Sequence, residues 1–350
     1  MPRDVTLVLL DGRVLSSFEV ELPWWQEVSG VIEGARAHHG LEISVLRIVE
    51  TEPGLTNGGK VTYLVETPGM NGAHEDHPLR PDYAKPGGPS RSIEWARSVL
   101  DRPITSVEQL RTWNLSAIWR LGTPSGTVWL KQVPRFFAHE AVVLRYLRKP
   151  VLLAADDQGR MLLDDLPGED LYDCDFETRR AIAADMVEIQ LKALPQLEKL
   201  HSAGIPLMLG LPSQPWLADA LARVAACGMP DTLVHGDLHP GNVRGTPLDR
   251  TIIDWGDCFI GHPGFDILRL SDGLLPVEAA DLLATWAMLW RRAVPGCDPV
   301  AAADALRPVA ALRNSAVYSH FLFNIEPSEH RYHAADVSFW LAEAQLLAAR

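Results

Sequence analysis

The chain has 350 residues, of which 47% are hydrophobic and 22% are charged, so its composition is that of a folded globular protein with two or three compact units. Its net charge of −13 argues against nucleic acid as a partner, and no apolar run approaches the roughly 20 residues of a membrane span. The four cysteines have neither metal nor disulfide spacing, which predicts reduced thiols in a cytoplasmic protein. The oligomeric state stays open.

Residues 1–75 predict a small α/β domain. Four short apolar runs have the length of strands: residues 5–10, 14–20, 43–49 and 61–66. Apolar residues recur at helical spacing from Trp24 to His38. Residues 31–42 faintly resemble the helix and following turn of Nudix hydrolases, whose metal site needs clustered glutamates. This helix has few glutamates, so a non-catalytic module is the better interpretation.

A stretch rich in proline and glycine follows at residues 76–91 and predicts a linker. Residues 92–167 then predict a β-rich unit. Two apolar strands flank the turn Gly122–Gly126, which indicates a hairpin, and Lys131 ends its second strand. Glu140 lies in the first turns of the next predicted helix. The turn before the hairpin, which ends at Ser116, lacks a glycine-rich motif, but its backbone amides and hydroxyl could contact a phosphate.

Residues 168–350 are predominantly helical by the spacing of their apolar residues. The predicted helices cover residues 178–201, 216–226, 276–293, 300–323 and 334–349. Glu326 and Glu329 lie in an acidic break between the last two of these helices.

The most informative segment is Leu233–Asn242, followed by Ile252–Asp257. An apolar run ends just before Asp237, which places this carboxylate on a loop after a strand, where catalytic groups tend to lie. Pro240 and Gly241 turn the chain, so Asn242 can return toward Asp237. A second apolar strand presents Asp254 at its end. An acceptor-orienting carboxylate followed by an amide and a second carboxylate is the arrangement that phosphoryl transfer requires.

An alternative is a hydrolase metal site made of His235, Asp237 and His239, because alternate positions of an extended segment share one face. This alternative leaves Asn242 and Asp254 without a role.

The segment resembles the catalytic and metal-binding loops of the aminoglycoside phosphotransferase family, small-molecule kinases that resemble protein kinases in fold. The resemblance implies an α+β, bilobal fold, with a small lobe at 92–167 and a helical large lobe at 168–350. The small α/β domain, with its faint resemblance to a degenerate Nudix domain, precedes both lobes.

Carried over residue by residue, the resemblance makes Asp237 the catalytic carboxylate and His235 a brace of its loop. Asn242 and Asp254 would hold Mg²⁺, and Asp266 would tie the catalytic loop in place.

The resemblance also implies that ATP or GTP is the phosphate donor. A strand lysine would contact the phosphates, a helix glutamate would position that lysine, and a hinge backbone would bind the purine. The lysine is Lys131 and the glutamate is Glu140. Ser116 of the loop would contact the phosphates as well, and the hinge residues are Asp164, Asp165 and Leu166.

The acceptor implied by the resemblance is a hydroxyl of an antibiotic, either an aminoglycoside or a sugar-bearing nucleoside, with resistance as the outcome. One alternative is a metabolic amino-sugar or sugar kinase of the same fold. An alternative from another class is a non-catalytic nucleotide-binding pseudokinase, which the presence of Asp237, Asn242 and Asp254 disfavours. Glu326 and Glu329 are predicted to line the acceptor cleft, the competing interpretation being a solvated loop between helices.

Overall fold

The computed structural model describes residues 1–55, 57–69 and 76–350, and the predicted end of the first domain at residue 75 lies outside these ranges. The chain forms two compact units. The first comprises Met1–Ala138, Leu152–Asp165 and Phe321–His333, and the second comprises His139–Val151, Leu166–His320 and Ala334–Arg350. Their mixture of sheets and helices confirms the predicted α+β class.

The first unit contains a four-stranded mixed sheet with the order β2-β1-β4-β3. Its elements are β1 (Arg3–Leu9), β2 (Phe18–Val20), α1 (Ser29–His39), β3 (Ser44–Thr51) and β4 (Gly59–Glu66). The central pair β1 and β4 is parallel. Helix α1 buries Val31 and Ala35 against this sheet, and it ends at Gly40, whose left-handed conformation suits glycine.

The same unit contains a second sheet of five antiparallel strands in the order β5-β6-β7-β9-β8. Its elements are α2 (Gly88–Val99), β5 (Ser106–Thr112), β6 (Ala117–Thr123), β7 (Gly126–Gln132), β8 (Leu152–Ala155) and β9 (Arg160–Asp164). The predicted hairpin is β6 and β7, which places Lys131 opposite Ile118 and Met161.

The amino-terminal sheet packs on the outer edge of β5. The backbone of residues 26–28 hydrogen-bonds to this strand, because Val28 N donates to Leu110 O at 2.8 Å and Thr112 N donates to Gln26 O at 3.0 Å. These contacts satisfy an edge that would otherwise expose unpaired backbone groups. The two sheets therefore form one compact unit.

Residues 76–91, predicted to be a linker, are packed within the first unit. Tyr83 is buried, and its hydroxyl donates to Trp113 O at 2.9 Å. A Cβ at Gly88 would lie 2.0 Å from Asp82 O, so the chain approaches itself too closely for any other residue. The proline and glycine content thus reflects tight turns in a packed segment.

Helices dominate the second unit, as predicted. They are α3 (Glu140–Leu147), α4 (Phe176–Ala193), α5 (Leu197–Ser202), α6 (Leu217–Ala226), α7 (Gly264–Leu270), α8 (Pro276–Ala293), α9 (Pro299–Asn324, whose last four residues belong to the first unit) and α10 (Ala334–Ala348). The predicted helix at 178–201 divides into α4 and α5 around Pro195, which lacks a backbone donor. None of the described helices combines the length and apolar character needed to cross a membrane.

Five short strands of the second unit support its loops: β10 (Glu169–Asp170), β11 (Thr232–Val234), β12 (Val243–Gly245), β13 (Arg250–Ile252) and β14 (Phe259–Gly261). They form two small sheets, β10-β12-β13 and β11-β14. The loop after β11 carries Asp237, and the loop after β13 carries Asp254.

Candidate active site

The loop that carries Asp237 is tied to α7 by the buried carboxylate of Asp266. The backbone amides of His235 and Gly236 each donate to Asp266 at 3.0 Å, and Gln190 Nε2 donates to it at 2.9 Å. Gly236 has a φ of 87°, and a Cβ there would lie 2.2 Å from Asp257 O. Only glycine fits this turn. The next residue, Asp237, is partly exposed to solvent.

His235 is fully buried and both of its ring nitrogens are engaged. Nε2 lies 2.9 Å from Ile253 O, and Nδ1 accepts from Asp237 N at 3.3 Å. A ring used in this way cannot ligate a metal, which contradicts the alternative hydrolase site with His239. Within residues 1–55, 57–69 and 76–350, no group of three or more His, Cys, Asp or Glu side chains could hold a metal ion.

Asn242 connects Asp237 with the loop that carries Asp254. Its Nδ2 donates to Asp237 O at 2.9 Å and lies 3.4 Å from Asp237 Oδ2, so the amide oxygen is the side-chain atom that remains for a cation. Its backbone oxygen accepts from Ile253 N at 2.9 Å, immediately before Asp254.

Asp254 has a left-handed backbone conformation, with φ 61° and ψ 62°, which is uncommon for residues other than glycine. The next residue is held in place, because Trp255 N donates to Glu140 Oε1 at 3.2 Å. Strained backbone of this kind tends to occur at functional sites. One carboxylate and one amide oxygen fit Mg²⁺, which takes few protein ligands and completes its coordination with phosphate and water.

Glu140 is predicted to position Lys131. The structure gives it a contact within the second unit, in which its buried carboxylate links α3 to the loop after β13. Glu140 therefore supports the backbone next to Asp254.

Sequence reasoning missed Arg269, which forms an ion pair with Asp237. Arg269 Nε donates to Asp237 Oδ1 at 2.7 Å, and its Nη1 donates to Asp272 at 2.9 Å. Burial raises the pKa of Asp237, but the hydrogen bond with His239 and the charge of Arg269 outweigh it and hold this pKa well below its usual range. The one signal in the sequence was the spacing of Arg269 from Asp266. Residues three apart lie on the same face of a helix, so this spacing places Arg269 on the face that Asp266 turns toward the loop of Asp237.

Arg313 on α9 was also missed. It is buried, it donates to Gly236 O at 3.2 Å and to Asp257 O at 3.4 Å, and its guanidinium lies 4.3 Å from the ring centroid of Phe259. Arg313 therefore braces the catalytic loop from the side of α9, a role that no local motif indicates.

The first unit contains the other predicted nucleotide residues. Lys131 lies on β7 with a largely buried side chain. Ser116 is also buried, and its hydroxyl accepts from Trp113 Nε1 at 3.0 Å.

The predicted hinge residues make side-chain and backbone contacts of their own. Asp164 ends β9, and Asp165 Oδ1 accepts from Trp129 Nε1 at 2.6 Å. In the second unit, Leu166 O accepts from Arg244 Nε at 2.9 Å, which engages one backbone oxygen that was predicted to meet a purine.

Glu326 and Glu329 require a correction. Glu326 is 3% exposed, and its carboxylate pairs with Arg80 Nη2 at 2.7 Å and lies 3.8 Å from Arg47 Nε. Glu329 is 4% exposed in the same unit. Both residues belong to a buried charged cluster, so neither the acceptor role nor the solvated loop fits them.

The raised pKa of Glu329 leads us to expect that the stability of the protein depends on pH. Burial, with a smaller contribution from Glu326, raises the pKa of Glu329 to about 8, while Arg47, Arg331 and Arg80 oppose this rise. A carboxyl whose pKa is raised on folding stabilises the protein fully below about pH 4.5, its unfolded value, and this stabilisation is lost as the pH rises through about 8.

We therefore expect the free energy of unfolding to fall between pH 5 and pH 9 more steeply in the wild type than in Glu329→Gln, which cannot ionise. Urea unfolding at pH 5, 7 and 9 measures this difference. Parallel pH profiles for the two proteins would contradict the prediction.

Comparison with known proteins identifies the family. The family model for the phosphotransferase enzyme family, APH, matches residues 109–299, more than half of the chain. No curated protein matches the chain significantly. Choline kinase LicA from Streptococcus pneumoniae aligns with 16% identity and a TM-score of 0.52, covering 73% of this chain and 99% of that one. The spectinomycin phosphotransferase APH(9)-Ia, in complex with ADP and spectinomycin, aligns with 11% identity and a TM-score of 0.50, covering 74% and 97%. These structures share the kinase-like fold, and the chain belongs to the phosphotransferase enzyme family.

Proposed function

We propose that this phosphotransferase moves the γ-phosphoryl group of ATP or GTP to a hydroxyl of a small molecule. The observation that carries the proposal is the hydrogen-bonded connection of Asp237, Asn242 and the Ile253–Asp254 backbone in one loop cluster. This cluster supplies the acceptor-orienting group and the metal ligands of phosphoryl transfer.

Asp237 would act mainly by orientation. Because the hydrogen bond with His239 and the charge of Arg269 keep its carboxylate ionised, Asp237 would accept a hydrogen bond from the acceptor hydroxyl and align the oxygen for attack. Phosphoryl transfer passes through a loose transition state, so positioning and electrostatics contribute more than early removal of the proton.

Asn242 and Asp254 would hold Mg²⁺ through one amide oxygen and one carboxylate. When bound, the metal neutralises charge on the phosphates of the nucleotide. Lys131 would add a positive charge on the phosphate oxygens. Asp254 has a left-handed backbone conformation, and Glu140 holds the backbone of the residue that follows it.

A cavity of about 190 Å³ in the second unit adjoins the catalytic loop and is a candidate site for the acceptor. Its wall includes Gly236 of the loop, Arg269, and Trp340 and Glu343 of α10. Trp340 and Glu343 are three residues apart and so share one face of the helix. An apolar ring beside a carboxylate suits a compact hydroxylated group with a polar edge.

The size of this cavity bears on the acceptor class. Drug-sized ligands occupy sites of roughly 300–1,000 Å³. The cavity of about 190 Å³ is open to solvent, so it accommodates about one ring, and the rest of a larger acceptor can extend beyond it. We propose an antibiotic that presents a single sugar or amino-sugar ring as the acceptor. The small volume also supports the second candidate, an amino-sugar or sugar metabolite.

The direct test is nucleotide consumption by the purified protein against a panel of aminoglycosides, nucleoside antibiotics, amino sugars and sugars, with product mass measured for each hit. A mass increase of one phosphate on an acceptor supports the proposal. Nucleotide binding without transfer to any member would instead favour the non-catalytic alternative.

Glu343→Gln is expected to raise the acceptor KM several-fold while the nucleotide KM stays unchanged, because Glu343 lines the proposed acceptor cavity. Steady-state kinetics with each substrate varied separately measures both constants. Glu198→Gln, which removes an exposed carboxylate on α5, is the matched control. An unchanged acceptor KM in Glu343→Gln would remove Glu343 from the site.

A further inference from the structure

The turn Trp113–Ser116 between β5 and β6 is buried although it contains no glycine. Asn114 is 2% exposed, and Leu115 and Ser116 are also buried. Two hydrogen bonds join the first and last residues of the turn. The backbone N of Trp113 donates to Ser116 O and its Nε1 donates to Ser116 Oγ, each at 3.0 Å. The turn therefore lacks the glycines of a flexible phosphate-binding loop and is closed by its own hydrogen bonds.

The turn is held from outside by the segment between α9 and α10. We call this segment, Ile325–His333, the strap. His333 Nε2 lies 3.1 Å from Asn114 Oδ1, and Asn114 Nδ2 donates to Glu329 O at 3.4 Å. The ring centroid of Trp113 is 5.7 Å from that of Tyr332 and 5.7 Å from that of His333. The side chains of Trp113 and Asn114 thus both end on the strap.

The other side of the strap packs on the amino-terminal domain. The ring of Tyr332 lies 5.9 Å from Trp25, so this tyrosine contacts a tryptophan of the domain and Trp113 of the turn. The hydrogen bond from Arg331 Nη1 to Thr51 Oγ1 at 3.3 Å and the ion pair of Arg47 Nε with Glu326 at 3.8 Å add polar contacts. The domain, strap and turn therefore form one continuous packed arrangement.

Of the amino-terminal domain, the strap and the turn, the family model matches only the turn. The match covers residues 109–299, which include the turn but neither the strap nor the amino-terminal domain. The supports of the turn thus come from parts of the chain that the family model does not describe.

We infer that the strap and the amino-terminal domain position the turn Trp113–Ser116 for the phosphates of the nucleotide, with Tyr332 and His333 as positioning residues. The inference rests on the proposed kinase function. Backbone amides stabilise an anion best when they are oriented before it binds, since no reorganisation is then required. In this chain Trp113 closes the turn onto Ser116, and Trp113 and Asn114 contact the strap. The amino-terminal domain would then support nucleotide binding through the strap.

The test is titration of Mg²⁺-ADP into Tyr332→Ala, which removes the ring contacts with Trp25 and Trp113. We expect the Kd for nucleotide to rise roughly tenfold, because the turn must then be ordered when the nucleotide binds. The acceptor KM should not change, and Tyr332→Phe, which keeps the ring, should restore binding. Phe323→Ala is the matched control, because this aromatic side chain is 81% exposed.

Hydrogen exchange of the turn amides gives a second measurement that needs no ligand. The amides of residues 113–116 should exchange faster in Tyr332→Ala than in the wild type if the strap holds the turn. Wild-type nucleotide affinity or unchanged exchange in this variant would overturn the inference while leaving the kinase function intact. Failure of the wild type itself to bind nucleotide would overturn both.

A second variant covers the case in which Tyr332→Ala does not fold, as judged by circular dichroism. His333→Ala removes the contacts of His333 with Asn114 and its neighbouring rings and leaves Tyr332 in place. Weaker nucleotide binding by this variant supports the inference, and wild-type binding overturns it.

Discussion

Asp237→Asn is expected to fold and to bind nucleotide as the wild type does, while its turnover falls by about 10²-fold or more, as expected when the group that orients the acceptor is lost. The ionised carboxylate accepts a hydrogen bond from the acceptor hydroxyl, and the neutral amide provides neither its charge nor its second acceptor oxygen. Arg269 also loses its ion-pair partner at 2.7 Å, which leaves a positive charge next to the attacking oxygen. Both changes act on the transfer step.

The measurement combines kcat for an identified acceptor with the Kd for nucleotide. Asp281→Asn, an exposed carboxylate on α8, is the matched control and should leave both values unchanged. Turnover of Asp237→Asn within a few-fold of the wild type would show that Asp237 does not orient the acceptor.

The second large effect is expected at the metal ligands. Asp254→Asn and Asn242→Ala should weaken Mg²⁺-dependent nucleotide binding, and the loss should be greater at Asp254 because it contributes a full negative charge to the cation. Asparagine is the better replacement at position 254, because it tolerates the left-handed conformation with φ 61° that alanine would adopt only with strain.

Calorimetric titration of ADP with and without Mg²⁺ separates the two contributions. In Asp254→Asn the gain in affinity that Mg²⁺ provides should largely disappear, whereas binding of metal-free ADP should persist. Asp219→Ala, on the exposed side of α6, is the control. A Mg²⁺-dependent gain equal to that of the wild type would exclude Asp254 as the principal metal ligand.

Local chemistry was sufficient to predict much of the fold and the central motif. The hairpin of β6 and β7 follows from two apolar strands around a glycine-containing turn. Asp237, Asn242 and Asp254 are near one another in the chain, so strand ends and tight turns bring them together. These features depend on residues that are close together in the chain, so they can be predicted from the sequence.

The tertiary structure alone decided how these features are supported. Arg80 and Glu326 are 246 positions apart, and their pairing turned a predicted linker and a predicted acceptor residue into parts of one buried cluster. Arg313 reaches Gly236 across 77 positions. Contacts at such separations are selected by the packing of whole elements and by the cost of burying a charge without a partner, and the sequence pattern encodes neither. The sequence by itself therefore determined which groups are proposed to carry the chemistry, and the packing of distant elements decided what holds them in place.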